Sequence, residues 1–237
     1  MNDPTFDRRT LLGGAAIANV ALATTATAQS NAAVAANTGA AAFKPMPLPF
    51  DPKTVPGLSE KLLTSHHDNN YVGAVKRLGA IRAEFGKQEP ATAPVFTLNG
   101  LKREELIAWN SMVLHELYFN GLRLAEPATP VLSQAIERDF GGHDRWAAEF
   151  SGMGKALGGG SGWVLLTYSR RDNRLVNTWA ADHTMVLADG APLLALDMYE
   201  HAYHMDYGAK AGDYVNAFMK AFTWSHANRV FGKVSAA

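Results

Sequence analysis

Residues 191–203 constrain this chain most. There the apolar run Ala191-Pro192-Leu193-Leu194-Ala195-Leu196 gives way to Asp197-Met198-Tyr199-Glu200-His201-Ala202-Tyr203. A run of this length reads as a short buried strand, so the first charged side chain after it, Asp197, stands at the rim of a core. If the chain coils beyond the strand, His201 lies four positions on, close enough to share one point with the Asp197 carboxylate. An ion pair satisfies such a couple as well as a metal ion does. The two readings separate only if further ligands converge from elsewhere in the chain.

Cysteine is absent from the 237 residues, so a metal must be held by nitrogen and oxygen. The N-terminal half offers two histidines at suitable places. Leu58, Leu62, Leu63, Val72, Val75, Leu78, Ile81 and Phe85 recur at steps of three and four, which predicts one long amphipathic helix over 58–85, opened by Pro56-Gly57. His66 falls on its buried stripe and His67 on the flank. Pro90, Pro94, Asn99 and Gly100 predict a connection over 88–100. A second helix follows over 102–122, with Leu106, Trp109, Val113, Leu117 and Leu122 on one side and His115 on the same broad face. A short connection makes the helices antiparallel and sets His66 opposite His115. Each histidine alone reads as a core residue satisfied by a hydrogen bond.

Pro127 and Pro130 mark a boundary, which divides the chain into a helical hairpin domain, 45–126, and a C-terminal domain, 127–237. In the second, a helical stretch through Trp146, Phe150 and Met153 leads to Gly158-Gly159-Gly160-Ser161-Gly162-Trp163. No lysine with a Ser/Thr partner completes a nucleotide-binding loop there. Residues 163–169 and 175–180 are strand-like, and Arg170-Arg171-Asp172-Asn173 supplies the turn between them. With 192–197 they predict a three-stranded antiparallel sheet. A last amphipathic helix carries Tyr214, Phe218, Phe222 and Trp224. The fold class is therefore α+β.

The N-terminus reads as an address. Arg8-Arg9-Thr10-Leu11-Leu12, a mildly apolar stretch over 13–23 and Ala26-Thr27-Ala28 make residues 1–28 a twin-arginine signal peptide, with an alanine- and asparagine-rich leader over 29–44. The apolar stretch is too short to span about 30 Å of hydrocarbon. The expected destination is the bacterial periplasm. Basic and acidic side chains balance at 22 each, which gives no footprint for nucleic acid or an anionic membrane as partner.

Asp-x-x-Glu-His-Ala-Tyr after a Pro-Leu-Leu strand resembles the signature of the iron/manganese superoxide dismutases. His66-His67 within the first helix, His115 followed by Tyr118 and Phe119, and the Gly-Ser-Gly-Trp turn match that family as well. The resemblance spans roughly residues 46–231. It implies one Fe or Mn ion per subunit held by His66, His115, Asp197 and His201, superoxide as substrate, and a homodimer or tetramer. The donor set suits Fe or Mn, and leaves zinc open on ligand chemistry alone. The resemblance also implies Trp163 and Tyr199 as pocket walls, and Glu200 with Tyr203 as a bridge across the dimer, Glu200 reaching His201 of the partner subunit.

The sequence departs from the family around the ligands. Position 111 is Ser and no Gln stands in Trp179-Ala180-Ala181-Asp182-His183-Thr184; the resemblance implies His183 as the substitute for the usual outer-sphere glutamine, with an exposed loop histidine as the alternative. Counted without gaps from His66, the family's outer-sphere histidine falls at Asn70 and its gateway tyrosine at Ala74. Lys210 is left as a candidate for steering an anion. The missing relay motivates a second reading, a dismutase-fold protein that holds metal without efficient turnover, in a structural or interaction role.

Overall fold

The structure is a computed structural model and describes residues 43–123 and 126–236. The proposed signal peptide and most of the proposed leader lie outside the described residues. Helix α1, Glu60–Ser65, opens on Ser59, whose Oγ accepts from the Leu62 N–H. Asp206 in turn accepts from the Ser59 amide and hydroxyl, both at 2.7 Å. The helix predicted as continuous over 58–85 is interrupted. A π-helical turn, His66–Tyr71, precedes α2, Val72–Phe85, and the Val72 N–H bonds the His67 carbonyl five residues back. Periodicity of three and four could not register this turn, because it re-phases the helix within six residues.

Helix α3, Val95–Asn120, begins seven residues before the predicted start and contains Asn99 and Gly100. Pro94 occupies its N-cap position, and its first turn lies in solvent, with Val95 80% and Phe96 77% exposed. An asparagine and a glycine there cost only their intrinsic propensity. Leu106 and Trp109, expected on the buried side, are largely exposed, while Met112, Leu114 and His115 are buried. The hairpin of α2 and α3 is laced by Arg77 with Glu104 and by Arg82 with Glu105.

Helices α4, Pro130–Phe140, and α5, His143–Ala156, lead into the sheet. Strands β1, Trp163–Ser169, β2, Arg174–Ala180, and β3, Gly190–Asp197, are antiparallel in the order β2-β1-β3. Trp163 is opposite Ala180 on one side and Asp197 on the other, so the strand ends that carry the site lie together. The register shifts between Leu166 and Thr167, next to Pro192, which has no amide to give the ladder. Gly162 leads into β1 with φ +136°, and a Cβ there would collide with the Ala180 carbonyl. Beyond the site come α6, His204–Tyr207, α7, Ala211–Ala221, and α8, Ser225–Val234. The single predicted last helix is thus two, with Phe222 and Trp224 in the junction. Among the described residues no helix is long and apolar enough to cross a membrane.

Candidate metal centre

Four elements each bring one side chain to a common point. The π turn supplies His66, the interior of α3 supplies His115, the last residue of β3 is Asp197, and a 3₁₀ turn, Glu200–Ala202, carries His201. One donor atom from each lies within 4.8 Å of all the others. Asp197 Oδ2 is 3.1 Å from His66 Nε2, 3.1 Å from His201 Nε2 and 3.6 Å from His115 Nε2. His66, His115 and Asp197 are buried, and the His201 side chain is 25% exposed.

The backbone and a tyrosine fix the carboxylate. Asp197 Oδ1 accepts from the Tyr199 N–H at 2.9 Å, and the Asp197 carbonyl accepts from the Tyr214 hydroxyl at 2.8 Å. The Tyr118 hydroxyl lies 3.3 Å from that of Tyr214, buried with it. Tyr214 was placed on a helix by its periodicity but not at the site. The one signal available was its residue type, since a buried tyrosine seeks a partner for its hydroxyl.

His115 decides what the cluster can hold. Its Nδ1–H donates to the Ser111 carbonyl at 2.6 Å, which leaves Nε2 as a bare lone pair facing Asp197 Oδ2. Neither His115 Nε2 nor His66 Nδ1 has a hydrogen-bond partner among the described residues, although both are buried. A lone pair held against a carboxylate oxygen is unfavourable unless a cation lies between them. Donors about 2.1 Å from a shared ion stand about 3–4 Å apart, which matches the separations around Asp197. Burial pushes His115 down to about 3 and lowers His66 as well. Burial alone would raise Asp197, but the surrounding imidazoles outweigh it and hold the carboxyl below its usual range. Burial thus favours the neutral, donor form of His66 and His115, and the carboxylate is kept ionised, as a divalent or trivalent ion requires of its ligands. The donor set fits such an ion.

An aromatic wall closes one side. Trp163 lies 5.3 Å from His115, edge to face, and its Nε1–H donates to His183 Nδ1 at 3.0 Å. Tyr199 stacks on His201 at 5.4 Å and on His183 at 4.9 Å. The Asn110 amide donates to the His183 carbonyl and ties that loop to α3. Burial lowers the His183 pKa. Asn70 does not join this wall. It is half-buried and makes no side-chain hydrogen bond among the described residues. Glu200 is exposed beside His201, whereas Tyr203 is buried within the chain, 5.3 Å from Tyr214. Lys210 is exposed just ahead of α7. His143 packs on Trp146 and Trp224, apart from the cluster.

Residues 128–230 match the family described as iron/manganese superoxide dismutases, C-terminal domain. The "Superoxide dismutase [Fe]" of Cupriavidus metallidurans is 64% identical over 185 residues, covering 78% of this chain and 94% of that protein. This chain belongs to the iron/manganese superoxide dismutase family. More distant dismutases carry either metal in their names. The "Superoxide dismutase [Mn] 2" of Haloferax volcanii is 33% identical over 191 residues, covering 75% of this chain and 89% of its own length. The "Superoxide dismutase [Fe]" of Aquifex pyrophilus is 31% identical over 194 residues, covering 78% and 90%. The expected family and the α+β fold are both borne out.

Proposed function

We propose that this chain is a superoxide dismutase with one Fe or Mn ion per subunit, held by His66, His115, Asp197 and His201. The observation that carries the reading is His115 Nε2, without a hydrogen-bond partner among the described residues and buried 3.6 Å from Asp197 Oδ2 in a chain of this family. A bound iron or manganese ion would supply a trivalent/divalent couple through which one superoxide is oxidised to dioxygen and a second is reduced, with two protons, to hydrogen peroxide.

The protein's part is to fix ligands, exclude water and present a proton. Ser111 and the Tyr199 amide orient His115 and Asp197, so the donors need no rearrangement to receive the ion. Trp163 and Tyr199 keep one side apolar. Because the Trp163 N–H occupies Nδ1 of His183, the neutral imidazole carries its proton on Nε2 and can donate it beside the site. Superoxide consumption by metal-analysed protein is the test. Decay of superoxide in proportion to bound Fe or Mn is expected. A chain that binds either metal stoichiometrically yet leaves superoxide decay unchanged supports the second reading, a metal-holding module without efficient turnover. That reading is favoured by the Asn70 side chain making no hydrogen bond among the described residues.

The exported homodimer is part of the same proposal. Support for the dimer is Glu200, an exposed acid beside a ligand imidazole that retains access to solvent, where it can reach His201 of the partner subunit. Tyr203, two residues beyond His201 in the sequence, is the proposed second member of the bridge. Support for export is Arg8-Arg9 with Ala26-Thr27-Ala28. Fractionation of expressing cells followed by sizing of the released protein tests both. Mature dimer in the periplasm, turned to monomer by Glu200→Ala, is expected. Cytoplasmic retention would refute export, and a monomer in the unaltered protein would refute the bridge.

A further inference from the structure

The segment ahead of the first helix reads Phe43-Lys44-Pro45-Met46-Pro47-Leu48-Pro49-Phe50. Proline at every second position restricts both itself and the residue before it to extended backbone, so this stretch has little conformational freedom to lose on docking. Within 45–49 it leaves amide N–H groups only at Met46 and Leu48. One of them is used. The Met46 N–H donates to the Tyr71 hydroxyl at 3.0 Å, and the Met46 carbonyl accepts from His67 Nε2 at 2.8 Å. The strap's leading end is held separately. Phe43 packs edge-on to Trp109 at 5.7 Å, and the Arg82 guanidinium lies over both rings, at 4.8 and 4.1 Å.

Tyr71 is where the strap meets the metal centre. It is the last residue of the π turn that begins with His66, and it is 1% exposed. Its hydroxyl accepts from Met46 and donates to Glu116 Oε1 at 3.0 Å. Glu116 follows His115 on α3. A single oxygen therefore joins the strap, the turn that carries one ligand and the helix that carries another. The π turn needs such a tether, because its i→i+5 bonds are a departure from the helix on either side.

We propose that Tyr71 is a positioning residue: its hydroxyl, held by the Met46 amide and by Glu116, keeps the π turn of His66 in register with His115. The consequence for a bound ion rests on the metal-centre reading above. The consequence for the π turn does not.

The test uses the mature chain as Tyr71→Phe, Glu116→Leu and Glu116→Gln. Each of the first two deletes one side of the bond, and the third keeps an acceptor oxygen. In metal-free protein, Tyr71→Phe and Glu116→Leu raise amide exchange over residues 66–72 severalfold and leave α4, α5 and α7 unchanged, while Glu116→Gln restores protection. In iron-loaded protein the same two variants release iron to excess chelator about 3- to 10-fold faster, the size of one net hydrogen bond, and shift the ferric electron paramagnetic resonance spectrum. Combining Tyr71→Phe with Glu116→Leu adds nothing beyond Tyr71→Phe alone, since losing the hydroxyl already removes the Glu116 bond along with the Met46 one. Unchanged exchange over 66–72, or fully additive effects in the double variant, would overturn the proposal. Superoxide consumption by the unaltered chain is read separately. Failure there alone overturns the dismutase reading and leaves this one standing, and exchange in the metal-free protein decides even if no iron is retained.

Discussion

At the scale of single residues, the site is a matter of which nitrogen keeps its proton. The Ser111 carbonyl takes the proton of His115 on Nδ1, and Trp163 forces that of His183 onto Nε2. The first histidine thereby turns a bare lone pair towards Asp197 and the second an N–H towards the site, the one buried and the other half-buried. The division predicts separable losses. His183→Ala should retain metal at close to one ion per chain and lower superoxide turnover roughly tenfold, the worth of one well-placed hydrogen bond. Metal analysis with turnover on the same samples checks this, and unchanged turnover would remove His183 from the site. These roles were only partly legible in the sequence. His66, His115, Asp197 and His201 could be picked out because each sits in a recognisable local pattern. The Tyr214 hydroxyl on the Asp197 carbonyl could not, because 17 residues and a change of element separate the partners.

At the scale of elements, the informative departures are places where a local rule yields to tertiary contacts. The turn over His66–Tyr71 breaks the 3.6-residue period, so counting forward from His66 at helical spacing assigns the wrong neighbours. Tyr71 consequently lies buried against Glu116 and the Pro-rich strap. The strand limits are legible nearly to the residue, since short apolar runs and a tight turn with Asn173 at φ +53° are local signals.

A second junction, between α4 and β2, is held by charge. The Asp139 carboxylate, 1% exposed, takes two bonds from Arg138 at 2.7 and 2.6 Å, the Leu175 N–H at 2.7 Å and Arg174 at 3.5 Å. Burial alone would raise its pKa, but Arg138, the Leu175 amide and Arg174 outweigh this and hold it below the ordinary carboxylate value. The folded state therefore favours the ionised form. That contribution is complete above the unfolded pKa near 3.9 and is lost as pH falls through the lower native value. Asp139→Asn should cost about 1.5 kcal/mol at pH 7, and the gap between variant and parent should close below pH 4. Urea unfolding at both pH values measures it, and a gap independent of pH would contradict the assignment.

At the scale of the whole molecule, the fold exists to bring two distant halves of the chain to one carboxylate. His66 and Asp197 are 131 residues apart in sequence and 3.1 Å apart in space. The overall architecture is legible because the pattern changes only twice along the chain, from helices to strands before Trp163 and back to helices after Asp197. The division of the last helix at Phe222–Trp224 was not, because those aromatics continue the apolar pattern across a break. A structure in which buried imidazole and carboxylate face each other should be less stable without its ion. Stripping metal should lower the melting temperature, and restoring Fe or Mn should recover it in proportion to occupancy. The most direct test of the central claim is stopped-flow superoxide decay on metal-analysed protein, parent against Asp197→Ala. Decay proportional to bound Fe or Mn in the parent, with both metal and activity lost in the variant, is predicted. Retention of stoichiometric metal by Asp197→Ala with undiminished decay would show that the ion sits elsewhere and contradict the account.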